Sequence, residues 1–400
     1  MKGGTRVNRE RGYWQELKRR RISRRRLLAG ATAAGVGLAA AGLTACGGGK
    51  EEAPGGASPV PGGTPTPVGG VLEPVGTTGG FIHWYSYESI PLDTLDPHQT
   101  QIGPTYSLHS SIFSKVLKYD DGYAGLIGRD LAEGMPEIVD DVTYVVKIRP
   151  GATFHDTPGI RDNVKDFAPN LPGRELTAED VKYSIERQVN PNSPKSALYY
   201  RASQWESVDK IEVVDTYTLR ITTKRPTGPF IHYLADTNAF IIAKELVDQT
   251  DEMNDIKRMV GTGPFMVDRY VPLQVSRAVR NPVWFAKDDL TDQGLPNRPL
   301  VDGYEAYFYA GDYTAMEAAF RSKQVDVFGT DDPDSMKRLG DELGLQVATA
   351  PSTGFINTRI LCNDSPAATT PFKDLRLRKA IHLAVDRNRM GQQMLKGGFY

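Results

Sequence analysis

The chain predicts a mixed α/β fold, and three features carry that prediction. Residues 81–400 are long enough for two domains, they mix a strand period of two with a helix period near 3.6, and Gly and Pro punctuate them throughout. Leu108, Ile112 and Val116 recur at helical spacing. "TYVVKIR" (Thr143 to Arg149) alternates Tyr144, Val146 and Ile148, the pattern of a half-buried strand. Val181, Ile185 and Val189 mark a second helix, opened by Thr177 with Asp180 three residues on, a capping-box arrangement. "IEVVDTYTLRIT" reads as a hairpin: Ile211 and Val213, a turn at Asp215-Thr216, then Tyr217, Leu219 and Ile221. "YEAYFY" (304 to 309) and "VDVF" (325 to 328) are further short strands. Leu377, Ile381, Ala384 and Val385 form a last apolar helix face, opposed by Arg376, Arg378, Lys379 and Arg387, which read as a solvated face. No internal repeat is found.

The N-terminus is of another kind. Arg24-Arg25-Arg26 abuts a mildly apolar run of Ala, Gly, Thr and Leu from Leu27 to Ala45, a basic region and short apolar core that describe an export signal better than a permanent span. "SRRRLL" is similar to a twin-arginine signal with Arg24 and Arg25 as the pair, although a uniformly basic leader also suits the general export route. "LTAC" resembles a bacterial lipobox, which implies that residues 1–46 end in a lipidated Cys46. Residues 47–80, almost all Gly, Pro, Thr and Val, cannot bury a core and read as a disordered tether with a reach of about 30 Å.

Charge and cysteine follow from this division. Residues 1–46 hold eleven of the 48 basic and two of the 49 acidic residues, so what remains is net −10, a body unsuited to nucleic acid or anionic membrane. Of the two cysteines, lipidated Cys46 cannot pair, which leaves Cys362 as an odd thiol expected to be buried and inert. One remaining Cys cannot build a thiolate metal site, the six histidines show no metal-ligand spacing, and no metal or cofactor is expected. No G-x-S-x-G, H-E-x-x-H, phosphate-loop or dinucleotide pattern occurs. "GTGPF" (Gly261 to Phe265) reads as a tight turn before a strand, and His155-Asp156 as a locally satisfied turn in preference to a general base. No catalytic residue is assigned; the pattern is that of a binder.

Four stretches in order are similar to the bacterial extracellular solute-binding family that includes oligopeptide- and dipeptide-binding lipoproteins of ABC importers, its family 5. They are "LDPHQTQIG" (Leu95 to Gly103), "IRPGATFHD" with "LTAEDVKYSIER" (148–156 and 176–187), "GTGPF" to "RNPVWF" (261–285), and "PFKDLRLRKAIHLAVDRNRM" (371–390). The resemblance implies a periplasmic-binding-protein type II-like Venus flytrap. It has two mixed α/β lobes with an extra domain, the first lobe spanning 81–269 and a partial second lobe 270–400. Two departures stand out. Residues 157–175 exceed the usual connection, and the sequence leaves open whether they are a surface decoration or a lid element. Family members continue well past the "AVDR" helix, so the chain reads as truncated after Tyr400, without the acidic residue that meets a peptide amino terminus.

Site residues follow from the resemblance position by position. Gln101, Ile102 and Gly103 correspond to the first-lobe cleft loop, with Gln101 where some oligopeptide binders have Glu. Tyr199, after "NPNSP", stands near a cleft tyrosine. Gly329 and Thr330 end the "VDVF" strand at the cleft, and Thr353, Gly354 and Phe355 precede "INT" on a crossing strand. Each is an ordinary loop or core residue on the alternative reading. The resemblance implies a small-molecule or peptide ligand, with nickel chelates, sugars or opines as minority classes, permease subunits as partners, and a monomer. A sensor or adhesin on the same fold without a transporter, or an exported enzyme, are the competing readings.

Overall fold

A computed structural model describes residues 78–86, 92–121, 125–290, 297–309, 311–330, 332–345, 372, 374–386, 389 and 393. The export signal, Cys46, nearly all of the tether, Thr353, Gly354, Phe355 and Cys362 lie outside the described residues. In chain order the first elements are β1 (Phe81–Ser86), α1 (Gly103–Ile112), β2 (Leu117–Asp121), β3 (Leu126–Arg129), β4 (Glu137–Ile138) and β5 (Thr143–Lys147). Next come α2 (Pro158–Val164), α3 (Ala178–Val189), α4 (Ala202–Trp205), β6 (Val208–Asp215), β7 (Thr218–Thr223) and α5 (Phe230–Tyr233). The rest are β8 (Phe265–Val271), β9 (Val275–Arg280), β10 (Gly303–Phe308), α6 (Tyr313–Arg321), α7 (Pro333–Leu343) and α8 (Leu375–Ala384).

Three sheets organise these elements, in the orders β1-β10-β9-β8, β2-β3 and β4-β5-β7-β6. In the last sheet the predicted alternation is realised: Tyr144 and Val146 of β5 and Leu219 and Ile221 of β7 point inward, while Arg220 stays out. The β6–β7 hairpin closes with Asp215 paired to Thr218, and the Asp215 carboxylate accepts the Tyr217 N–H at 2.9 Å. α3 packs on this sheet, its start fixed by the capping box of Thr177 and Asp180. Among the described residues Trp205, Phe154, Phe230 and Phe240 are the largest fully buried side chains, and the main apolar cluster runs from Leu108 to Ala278.

Several expectations change in the folded chain. β8, β9 and β10 belong to one sheet with β1, so a lobe boundary at 269/270 would cut through β8. Residues 325–328 are no strand. The Asp326 N–H donates to the His83 carbonyl at 2.6 Å, but the His83 N–H donates to the Asp326 carboxylate at 2.7 Å, where a ladder needs a main-chain carbonyl. The 157–175 insertion, whose role the sequence leaves open, contributes to the core: Ile160, Val164, Ala168 and Leu171 are buried in the main cluster, and Thr157 caps α2 through the Ile160 N–H. α8 forms as predicted, but none of its residues is buried and Leu383 is 82% exposed. Among the described residues no helix is long and apolar enough to cross a membrane.

Candidate functional site

The loop carrying Gln101, Ile102 and Gly103 runs directly into α1. Ile102 occupies the N-cap position without a side-chain cap, and Pro104 sits second in the first turn, where a missing N–H costs nothing. The loop is held from behind. Asp93 accepts the Thr100 hydroxyl at 2.7 Å and the Gln101 N–H at 3.0 Å, so the Gln101 side chain stands exposed on a fixed backbone.

α1 and the first sheet flank a half-open cavity of about 610 Å3. Parallel pairing of β1 with β10 sets Ile82 beside Tyr304 and Trp84 beside Ala306, and these four form one wall. Pro104, Ser107, Leu108 and Ser111 of α1 form the other, and Val327 closes one side. Among the described residues no charged side chain lines it. The Ser111 and Tyr304 hydroxyls pair at 2.6 Å, and burial pushes the Tyr304 phenol up to about 12, so this wall stays neutral. The Ser276 hydroxyl is buried there without a hydrogen-bond partner among the described residues.

The expected site residues divide. Gln101–Gly103 immediately precede Pro104 at the cavity, and Gly329–Thr330 follow Val327 closely. The Gly329 carbonyl accepts the hydroxyl of Tyr85, another lining residue, at 3.0 Å, while Thr330 Oγ1 accepts the Asp332 N–H at 3.1 Å. Tyr199 is placed elsewhere: it is buried, its hydroxyl donates to Asp251 at 2.6 Å, and its ring lies under the Arg187 guanidinium at 5.3 Å. His155 is fully buried and spent on structure. Its Nδ1 accepts the Gly261 N–H at 3.2 Å and its Nε2–H donates to the Gly263 carbonyl at 3.0 Å, which fixes the neutral tautomer and leaves no nitrogen for a substrate. Burial lowers its pKa to about 4. Thr353, Gly354 and Phe355 lie outside the described residues.

Sequence reasoning missed the cavity's aromatic wall and a buried ionic cluster of Asp96, Arg187 and Asp251. Trp84 and Tyr304 have only strand alternation to mark them. The cluster had a clearer trace: Ser184, Arg187 and Gln188 fall on the same buried side of α3 as Val181 and Ile185.

Comparison with known proteins agrees with this architecture. Residues 127–399 match the family model described as bacterial extracellular solute-binding proteins, family 5 Middle. The chain is 24% identical over 328 residues to the dipeptide-binding protein of Escherichia coli K12, covering 78% of this chain and 56% of that protein. It is 25% identical over 311 residues to di/tripeptide-binding protein 2 of Pseudomonas aeruginosa UCBPP-PA14, covering 73% and 52%. Among solved structures, the oligopeptide-binding protein AppA of Bacillus subtilis, in complex with a nonapeptide, superposes with a TM-score of 0.62 at 21% identity, covering 80% of this chain and 56% of its own. The chain thus spans about half the length of the curated relatives it matches. With a periplasmic-binding-protein type II fold and more than half its length matched, the chain belongs to the bacterial extracellular solute-binding proteins of family 5, a family of substrate-binding proteins and not of enzymes.

Proposed function

We propose that this chain is the solute-capturing component of an ABC importer, with a short peptide as its ligand. The observation that carries the reading is an aromatic-walled cavity, uncharged among its described lining residues, in which Pro104 and Val327 stand within three residues of two separately expected ligand segments, 101–103 and 329–330. Such a cavity suits an uncharged or apolar side chain, while the exposed side chain of Gln101, three residues before Pro104, can hydrogen-bond a ligand's polar groups. The dipeptide and di/tripeptide names of the two curated relatives support the same ligand class. In this reading the protein works as a monomer, exported and anchored to the outer face of the membrane through lipid on Cys46. The tether of residues 47–80 lets the body reach permease subunits. Calorimetric titration with di- and tripeptides is expected to give saturable binding that Trp84→Ala weakens at least tenfold. Binding of an opine or a sugar with none of any peptide would overturn the peptide assignment. Equal incorporation of labelled palmitate into wild type and Cys46→Ala would overturn the anchor.

A further inference from the structure

Residues 93–101 contain neither helix nor strand, yet Thr94, Asp96, His98, Gln99 and Thr100 are all buried. A buried loop must find partners for its backbone polar groups, and here remote side chains supply them. Asn254 Oδ1 accepts the Leu95 N–H at 2.7 Å, and Asn238 Nδ2 donates to the carbonyls of Pro97 and Thr100 at 3.1 and 3.3 Å. The centre of the arrangement is Arg187, at the end of α3. Its Nη1 donates to Asp96 Oδ1 at 3.0 Å and to His98 Nδ1 at 3.1 Å. Nη2 donates to Asp96 Oδ2 at 2.6 Å and to the Asp251 carbonyl at 3.0 Å, and Nε donates to Asp251 Oδ1 at 2.7 Å. All five donors of the guanidinium are therefore used.

Each acceptor is in turn held. Asp251 also takes the hydroxyls of Ser193 and Tyr199, and these donors together with Arg187 keep it below the usual carboxylate range although burial opposes them. His98, accepting at Nδ1, must carry its proton on Nε2, which donates to the Phe240 carbonyl at 2.8 Å. Asp96 accepts the His98 N–H at 3.0 Å and so fixes the turn that leads to Gln101. A planar five-donor fork can satisfy this set, and a lysine ammonium with three donors cannot. Buried ion pairs of this kind seldom stabilise a fold more than apolar packing would. What they provide is one orientation.

We propose that Arg187 is a positioning residue for solute capture: by gripping Asp96, His98 and Asp251 it holds the 93–103 loop in a single conformation before ligand arrives. It touches no ligand itself; it acts through Asp96 on the backbone that presents Gln101–Gly103, and so removes an ordering cost from binding. The proposal rests on the reading of that loop as a ligand contact.

The test compares wild type, Arg187→Lys and the milder Tyr199→Phe with Leu219→Ala, a core deletion in β7 that lowers stability without touching the loop. Hydrogen exchange is read at the amides of Leu95, Asp96, His98, Gln99 and Gln101 and at those of β5 and β7, and binding is read with the dipeptide Met-Leu. Arg187→Lys is expected to speed loop exchange at least tenfold with the strands unchanged, and Tyr199→Phe to speed it about threefold. Met-Leu affinity should fall at least tenfold in Arg187→Lys and stay within twofold in Leu219→Ala. Exchange that rises equally in loop and strands, or affinity that follows stability alone in both variants, overturns the proposal. If Arg187→Lys does not fold, loop-selective exchange in Tyr199→Phe upholds it and uniform exchange overturns it. If wild type takes no Met-Leu, binding is read with a di- or tripeptide that the calorimetric titration shows to bind; if no peptide binds, the peptide reading fails, and the exchange measurement alone decides whether Arg187 fixes the loop.

Discussion

Arg187 and Arg338 are both paired with two carboxylates, yet they do different things. The Arg187 and Asp96 side chains are 2% and 0% exposed, and their geometry decides where a loop runs. Arg338 and Arg321 share Glu317 and Glu342 across the surface between α6 and α7, with Arg338 44% exposed. The surrounding regions differ in the same way. Residues 92–290 hold nearly all of the main core, whereas among the described residues of 311–386 only Met316, Ala319, Val325 and Leu339 are buried apolar residues. The later helices rest on local devices instead: Asp312, Asp332 and Asp374 each cap a helix start, and Gly344 ends α7 in the left-handed region at φ 63°. In one region remote contacts specify the geometry, and in the other the nearest few residues do.

Acid should separate the regions most strongly. His98, His109 and His155 are all in the first region, fully buried, each with a pKa lowered to about 4, chiefly by burial. The unfolded chain binds a proton near pH 6.5 while the folded one does not until about 4, so stability is whole above 6.5 and falls as the pH drops between those values. At pH 5 each histidine is expected to cost about 2 kcal/mol. Exchange corrected for pH should show β5 and β7 losing protection at pH 5 while α7 is unaffected. Equal loss in α7 would mean that the two regions unfold as one unit.

Glycine substitution gives a smaller contrast. A Cβ at Gly263 would stand 2.7 Å from the carbonyl carbon and oxygen of Ile112, because Gly263 donates its N–H to that carbonyl at 2.8 Å. Gly263→Ala should cost about 3 kcal/mol in a denaturant melt, since helix end and turn cannot separate without breaking that bond. Gly344 meets nothing within 4 Å, so Gly344→Ala carries only the left-handed backbone penalty of about 1 kcal/mol. Equal costs would remove the distinction between packing and local conformation. The smallest effect is expected at Glu317→Gln, which weakens the exposed network and should leave the melting temperature unchanged.

Much of the fold was legible because its causes are close in sequence. The alternation of Tyr144 and Val146, the Asp215 turn and the Thr177–Asp180 box each act over a few residues, and all three appear in the structure. The site was legible only as two segments. Nothing in either segment says that Trp84 and Tyr304 share a cavity wall, because that depends on the parallel pairing of β1 with β10.

The basic and mildly apolar N-terminal segment, the Gly- and Pro-rich stretch of 47–80 and the family-specific order of four motifs are properties of the sequence itself, as are helix starts and strand alternation, since capping and periodicity need only neighbours. The tertiary structure alone decided that the 157–175 insertion builds core, that Asp326 replaces a strand's carbonyl, and that Arg187 meets Asp96 and Asp251. In each case a polar or apolar group was satisfied by a partner far along the chain. Which partner it would be is fixed by the cost of leaving the group unpaired or exposed, and that cost is defined only once the chain has closed around it.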